Sequence, residues 1–184
     1  MKSKSTIDNP WSTVSVKTVY NNPWIEVQHH EVITPSKTEG IYGKVKMKNL
    51  ALGIIPLDDE MNTWLVGQYR YTIGEYSWEI PMGGGPIDLD PLESAKRELK
   101  EETGIEARDW QYLMRIHTSN CVTDEIGLIY VAKELSFGET QFDDTEQIEI
   151  KKVQFNEALE MVEKGEITDS MSVGGILKLS RNIR

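Results

Sequence analysis

A chain of 184 residues with net charge −10 and one cysteine is long enough for one domain with a sizeable core, and its field disfavours long polyanions as partners. The lone Cys121 excludes an internal disulfide framework, fits a reducing cytoplasm, and reads as a small buried hydrophobe in a strand. The opening MKSKSTIDNPW lacks the apolar stretch of a signal peptide, and no run approaches membrane-spanning length.

In chain order, SVKTVYNN and IEVQHHEVITP predict strands joined by a turn at NNP, with YGKVKMKN as a third strand. NLALGIIPL is a short continuous apolar run, hence a buried strand. TWLVGQYRY is expected to pair with it across the DDEMN turn. A helix is predicted from Pro91 to about Thr103. Asp90 is its N-cap, Pro91 fits the first helical position, and Glu93 completes an Asp-x-x-Glu capping box. Gly104 supplies the left-handed stop, and Leu92, Ala95 and Leu99 form the apolar face. DWQYLMRIHTS, EIGLIYVAKEL and IEIKKVQFN follow as strands. FNEALEMVEKGEI reads as a helix with Ala158, Leu159 and Val162 on its apolar side. SMSVGGILKLSRN reads as a last short helix weakened by its glycine pair. Strands that cluster first and then interleave with helices place the chain in the α/β class, a mixed sheet with helices on its faces.

The chemistry concentrates on the predicted Pro91–Thr103 helix. Glu98, Glu101 and Glu102 stand at i, i+3 and i+4, so their carboxylates converge beside the apolar face. Like charges at these spacings repel unless a cation lies between them, and an oxygen cluster of this kind suits a hard ion such as Mg2+. A solvated acidic face is the plain alternative. The glycine run Gly83–Gly85 ahead of the helix weighs against it, because bare backbone can approach a ligand or expose a carbonyl.

The order of these residues closely resembles the box of the Nudix hydrolases, Gly-x5-Glu-x7-Arg-Glu-hydrophobic-x-Glu-Glu-x-Gly-hydrophobic. Gly83, Arg97, Glu98, Leu99, Glu101, Glu102, Gly104 and Ile105 fall in register, and Leu89 stands where the first box glutamate belongs. The preceding VGQYRYTIGEYSWEIPMGG looks like the flank found in ADP-ribose and nucleoside-diphosphate-sugar pyrophosphatases. The resemblance implies an α/β/α sandwich over residues 48–184. Residues 1–47 would be an N-terminal antiparallel sheet that builds a homodimer and part of the substrate pocket. It implies Mg2+- or Mn2+-dependent hydrolysis of nucleoside-diphosphate sugars of the ADP-ribose or GDP-mannose type. The metal ligands would be Glu98 and Glu102, with Glu101 as a third candidate and a carbonyl of the Gly83 run as a fourth.

The remaining roles are expectations of two kinds. From residue type, Arg70 can clamp a phosphate with its planar fork, and Glu79, followed by Pro81 and the glycines, stands at the mouth of the site. From the resemblance, Arg97 orients the glutamates, Trp24 stacks a base, Glu79 contacts sugar or phosphate, and Glu125 faces substrate or metal. Relatives also use a distant loop glutamate to activate water, for which QFDDTEQIEI offers Glu146 ahead of Asp144. Glu93, four residues before Arg97, is expected to hold that arginine in place of the carboxylate missing at Leu89. His29, His30 and His117 show no ligand spacing. Two alternatives stand beside this reading: a catalytically impaired ligand sensor, which the loss at Leu89 favours, and a pyrophosphohydrolase on nucleotides or RNA 5' ends, which the net charge disfavours.

Overall fold

In a computed structural model describing residues 8–139 and 148–183, the chain forms strands β1 (Ser12–Asn21), β2 (Ile25–Ile33), β3 (Glu39–Met47), β4 (Asn49–Pro56), β5 (Asn62–Arg70), β6 (Glu75–Glu79) and β7 (Met82–Pro86). Helix α1 (Pro91–Thr103), strands β8 (Ile105–Ile116), β9 (Gly127–Phe137) and β10 (Glu149–Gln154), and helices α2 (Phe155–Glu163) and α3 (Ser170–Ser180) follow. They divide into two units. The first runs to Lys48 and includes Ser119–Asp124; the second holds Asn49–Thr118 and the chain from Glu125 onward.

In the first unit β1, β2 and β3 make an antiparallel sheet in that order. The NNP turn is closed by the Asn22 side-chain carbonyl, which accepts from the Trp24 and Ile25 N–H groups at 2.9 and 2.8 Å. Such an Asx turn is the local reason asparagine belongs there. The Ser119–Asp124 segment attaches to β3: Val45 N–H donates to the Val122 carbonyl at 2.8 Å, and Met47 N–H to the Asp124 carboxylate at 2.9 Å. Lys44 pairs with the same carboxylate at 2.7 Å. Cys121 is exposed, against the buried-strand expectation. It lies in a turn of this segment and so has no sheet face on which to be covered.

The second unit holds a mixed sheet of order β7-β4-β9-β8, in which β4 and β9 run parallel, and a separate sheet of order β10-β5-β6. Of the expected β4–β5 hairpin only the turn and one bridge form: Leu57 pairs with Thr63, and the Asp58 N–H donates to the Asn62 carbonyl at 3.0 Å. β4 pairs with β7 and β9, while β5 pairs with β10 and β6. Beyond that bridge the two strands diverge into different sheets, each buried over most of its length. Alternation along β4 and β9 sorts the core. Leu52, Ile54, Tyr130 and Ala132 pack with Ala95 and Leu99 of α1. Ile55, Ile129 and Val131 face the other way, onto Phe155, Ala158 and Met161 of α2 and Met171, Ile176 and Leu179 of α3. The result is helix, sheet, helix: the α/β/α arrangement expected. On α2 the buried stripe is Phe155, Ala158 and Met161; Ala158 is as expected, while Leu159 and Val162 are only partly buried against the core. No helix among the described residues is long and apolar enough to cross a membrane.

Burial raises the pKa of Asp124, but the bonds from Lys44 and the Met47 N–H outweigh it and hold the carboxyl below its usual 3.8. A carboxylate with a depressed folded pKa stabilises the fold above its unfolded pKa, and that contribution is lost as pH falls through the folded value. Asp124→Asn should lower stability near neutral pH by no more than about 1 kcal/mol, given the screening of a pair this exposed. Urea titrations should show the deficit shrink once the pH drops below 3.8.

Candidate active site

Helix α1 begins and ends as its sequence dictates. Asp90 caps it by accepting from the Leu92 N–H at 3.0 Å, and Gly104 leaves it in the left-handed region at φ 69°, donating to the Lys100 carbonyl. Ala95 and Leu99 are fully buried, which turns the glutamate face of α1 toward β7. The glycine run is itself the strand β7, paired with β4 from Met82 to Pro86. Strand propensity gives no hint of this, since glycine is depleted in strands.

Two of the three glutamates meet that strand. Glu102 is 4 % exposed, and its carboxylate accepts from the Met82 N–H at 2.9 Å. Glu98 lies directly over Gly83: a Cβ there would stand 2.6 Å from Glu98 Cγ and nearer still to its carboxylate. No residue with a side chain fits at 83 while Glu98 keeps this place. Glu101 turns outward to Arg97 at 2.8 Å.

Arg97 is held differently from the expectation. Its guanidinium lies between two carboxylates, bonding Glu98 at 2.6 Å and Glu101 at 2.8 Å, with the Gly84 carbonyl at 3.3 Å. Glu93 pairs instead with Lys96 at 2.7 Å. The i, i+3 lysine takes Glu93, while Arg97 is drawn to Glu98, which lies over β7, and to Glu101 one turn further along the helix. Arg97 is thus the cation that relieves the Glu98–Glu101 repulsion. Leu89 sits exposed in the turn before α1, its N–H on the Pro86 carbonyl, and Arg97 is engaged without a carboxylate at that position.

Arg70 and Glu79 form one unit across the β5–β6 hairpin. Arg70 Nε donates to Glu79 at 2.9 Å and one Nη donates to the second carboxylate oxygen. Glu79 is 3 % exposed, so it is a buried anchor for Arg70 rather than an open mouth residue. The bonds from Glu79, with the nearby charges of Asp169 and Glu102, hold the Arg70 guanidinium above its ordinary pKa. That places Arg70, Glu79, Glu102 and Asp169 in one electrostatic neighbourhood. Sequence reasoning overlooked the pairing because β6 was not recognised as a strand. Once it is, Arg70 and Glu79 fall on one face by the period of two.

Glu125 stands just before β9. Its carboxylate accepts from the Thr118 hydroxyl at 2.5 Å, and its backbone carbonyl lies 3.2 Å from His117 Nδ1. Trp24, in the first unit, is 65 % exposed on its Asx turn. Glu146 and Asp144 lie outside the described residues.

The donor set can be tested against a divalent ion. Among the described residues no three His, Cys, Asp or Glu side chains gather as a metal-holding group. What converges on β7 is two carboxylates and glycine backbone, all oxygen donors, with a close approach that only glycine allows. Such a set fits Mg2+, which is commonly bound by one or two carboxylates and keeps waters and substrate phosphates in its remaining positions.

This geometry separates the two possible holders of Arg97. Glu93→Gln should leave turnover of a nucleoside-diphosphate sugar within about twofold, since it touches only an exposed lysine pair. Gly83→Ala must displace Glu98 and should reduce turnover by roughly 10-fold or more. Steady-state rates of the two purified variants check both; a larger loss in Glu93→Gln than in Gly83→Ala would return Arg97 to Glu93.

Comparison with known proteins agrees with the geometry. The model of the NUDIX domain matches residues 47–170, and that of a nucleoside diphosphate sugar hydrolase N-terminal domain matches residues 11–45. An ADP-ribose pyrophosphatase of Mycobacterium tuberculosis is 29 % identical over 175 residues, covering 92 % of this chain and 83 % of its own. A methanol dehydrogenase activator of Bacillus methanolicus is 30 % identical over 163 residues, covering 88 % of each. The crystal structure of an ADP compounds hydrolase shares the fold with a TM-score of 0.85 over 97 % of both chains, at 19 % identity. With a family model spanning most of its length and the box residues gathered on one helix and strand, the chain belongs to the Nudix family.

Proposed function

We propose that this chain hydrolyses the pyrophosphate bond of nucleoside-diphosphate sugars, with ADP-ribose as the leading substrate. The observation that carries the reading is the placement of Glu98 and Glu102 against Gly83 and Met82, with Arg97 braced across Glu98 and Glu101. The names of the relatives supply the substrate class. In the reaction, water adds at one phosphorus, one P–O bond of the anhydride breaks, and the products are a nucleoside monophosphate and a sugar phosphate.

Mg2+ or Mn2+, when bound, would neutralise charge on the phosphoryl oxygens and acidify a water. The chain's own residues have separable tasks. Glu98 and Glu102 would hold the ion, with backbone of the Gly83 run as a further oxygen source. Arg97 fixes the Glu98 carboxylate, so the ligand is oriented before the ion arrives. Arg70 is held still by buried Glu79 while its side chain remains 36 % exposed. A guanidinium has five N–H donors, so the Glu79 fork leaves others for a substrate phosphate. Glu125, set by Thr118, is a further candidate for substrate contact. Trp24 offers an exposed indole face to a base. Glu146 remains our candidate to activate water.

A second copy of the chain is the partner we assign to the N-terminal sheet. Every residue of β1 is exposed, and Val14, Val16, Val19, Tyr20 and Ile41 are all at least half exposed. Apolar surface on this scale marks an interaction site, and a two-fold pair is the commonest closed assembly. Sedimentation velocity at micromolar concentration should find a dimer; a stable monomer would remove it.

Glu102→Gln keeps size and the acceptor for Met82 but removes a ligand charge. It should reduce the Mg2+-dependent release of AMP from ADP-ribose by at least about 100-fold with little change in melting temperature. Near wild-type rates in both Glu102→Gln and Glu98→Gln would refute the assignment.

A further inference from the structure

The strand that carries the glutamates' backbone partners is pinned from a direction the Nudix box does not include. Between β6 and β7 the chain passes through Ile80 and Pro81, where no sheet ladder is available to it. The Pro81 carbonyl is taken by the Ile54 N–H at 2.9 Å, and the Met82 N–H by Glu102. The Ile80 N–H, on a residue with no exposure at all, donates to the Ser172 hydroxyl at 3.0 Å. Ser172 is itself fully buried and belongs to the first turn of α3.

The direction of that bond is set by Asp169. As N-cap of α3, its Oδ2 accepts from the Ser172 N–H at 2.8 Å and from the Ser172 hydroxyl at 2.9 Å. A hydroxyl has one proton and two lone pairs. With the proton committed to Asp169, a lone pair faces the Ile80 N–H. An alanine at 172 would leave that amide in the core without its acceptor, a loss the local backbone can relieve only by moving. Any such movement is carried within three residues to Met82 and Gly83, which meet Glu102 and Glu98.

We propose that Asp169 and Ser172 are positioning residues for the metal-binding strand, acting from α3 through the Ile80 amide. Asp169 lies just inside and Ser172 just past the end of the NUDIX domain match at residue 170, and neither belongs to the box between Gly83 and Ile105. The inference rests on the reading of Glu98 and Glu102 as metal ligands. Groups that hold first ligands in place commonly matter by 10- to 100-fold, roughly, in metal affinity or rate.

The test is Mn2+ binding by electron paramagnetic resonance, together with kcat and KM for ADP-ribose, on the full chain. Ser172→Ala is expected to weaken Mn2+ binding about 10-fold and to lower kcat comparably, with KM within about threefold. Asp169→Ala should follow it. Asp169→Asn keeps an acceptor oxygen for both Ser172 donors and should recover to within about threefold of wild type. Leu179→Ala controls for looser docking of α3, because it removes core packing from the same helix while keeping both partners of the Ser172–Ile80 hydrogen bond. Wild-type Mn2+ affinity in both Ser172→Ala and Asp169→Ala overturns the proposal, as does an equal loss in Leu179→Ala. If Ser172→Ala does not fold, the Asp169 pair decides. An impaired alanine with a recovered asparagine supports the proposal, and two wild-type-like variants overturn it. Glu102→Gln run in parallel separates the two levels. Mn2+ binding lost there leaves a wild-type Ser172→Ala to count against this inference alone, and binding retained there overturns both.

Discussion

Everything at the candidate site depends on how closely α1 can lie against β7. A helix carrying three glutamates would ordinarily keep them in water, because desolvating a carboxylate is expensive unless hydrogen bonds or an opposite charge replace the lost solvation. Here Ala95 and Leu99 pull the helix onto the sheet, and Gly83 leaves the space that Glu98 occupies. Glu102 then goes into the protein interior with the Met82 amide as a donor. A side chain at 83 would push the helix out or turn Glu98 away, and the two carboxylates would no longer share one stretch of backbone. The approach is therefore a packing constraint first and a chemical one second.

The supports of this approach come from several elements. Arg97 works locally, within α1, and sets Glu98 from the solvent side. Glu79 works from β6, holding Arg70 by two bonds in the same neighbourhood as Glu102. Ser172 works from α3, near the far end of the sequence, on the backbone just before Met82. Glu98, Glu102 and Arg70 are thus each engaged by a neighbouring group, Arg97, the Met82 amide and Glu79 respectively. That arrangement keeps oxygen and guanidinium donors in place at no entropic penalty when the ligand binds.

What the sequence disclosed and what it hid follow from the range of the interactions. Helix α1 was legible to its termini, because Asp90, Pro91 and Gly104 act within one turn of themselves. The box residues were legible as a spacing, and the layered α/β class as an order of elements. Pairings made across the sheet were not. β4 and β5 are neighbours in sequence and their turn closes with one bridge, yet their ladders belong to different sheets. Strands β6 and β7 hide behind a proline and three glycines, and with them the Arg70–Glu79 fork and the glycine contact to Glu98. Glu93 was the reasonable partner for Arg97 on helical geometry alone, but only tertiary structure reveals that Glu98, Glu101 and the Gly84 carbonyl take it instead. Asp169 and Ser172 could have been noticed as an N-cap with a serine three residues on, although nothing in that pattern names Ile80 as the third member.

The central claim is that Glu98 and Glu102, brought to the Gly83 backbone, form the divalent-ion site of this chain. Anomalous diffraction from crystals grown with Mn2+ tests it most directly. The account predicts a peak between the two carboxylates and the glycine strand, with oxygen ligands around it. A peak held by other residues, or none at a concentration that supports turnover, would contradict it.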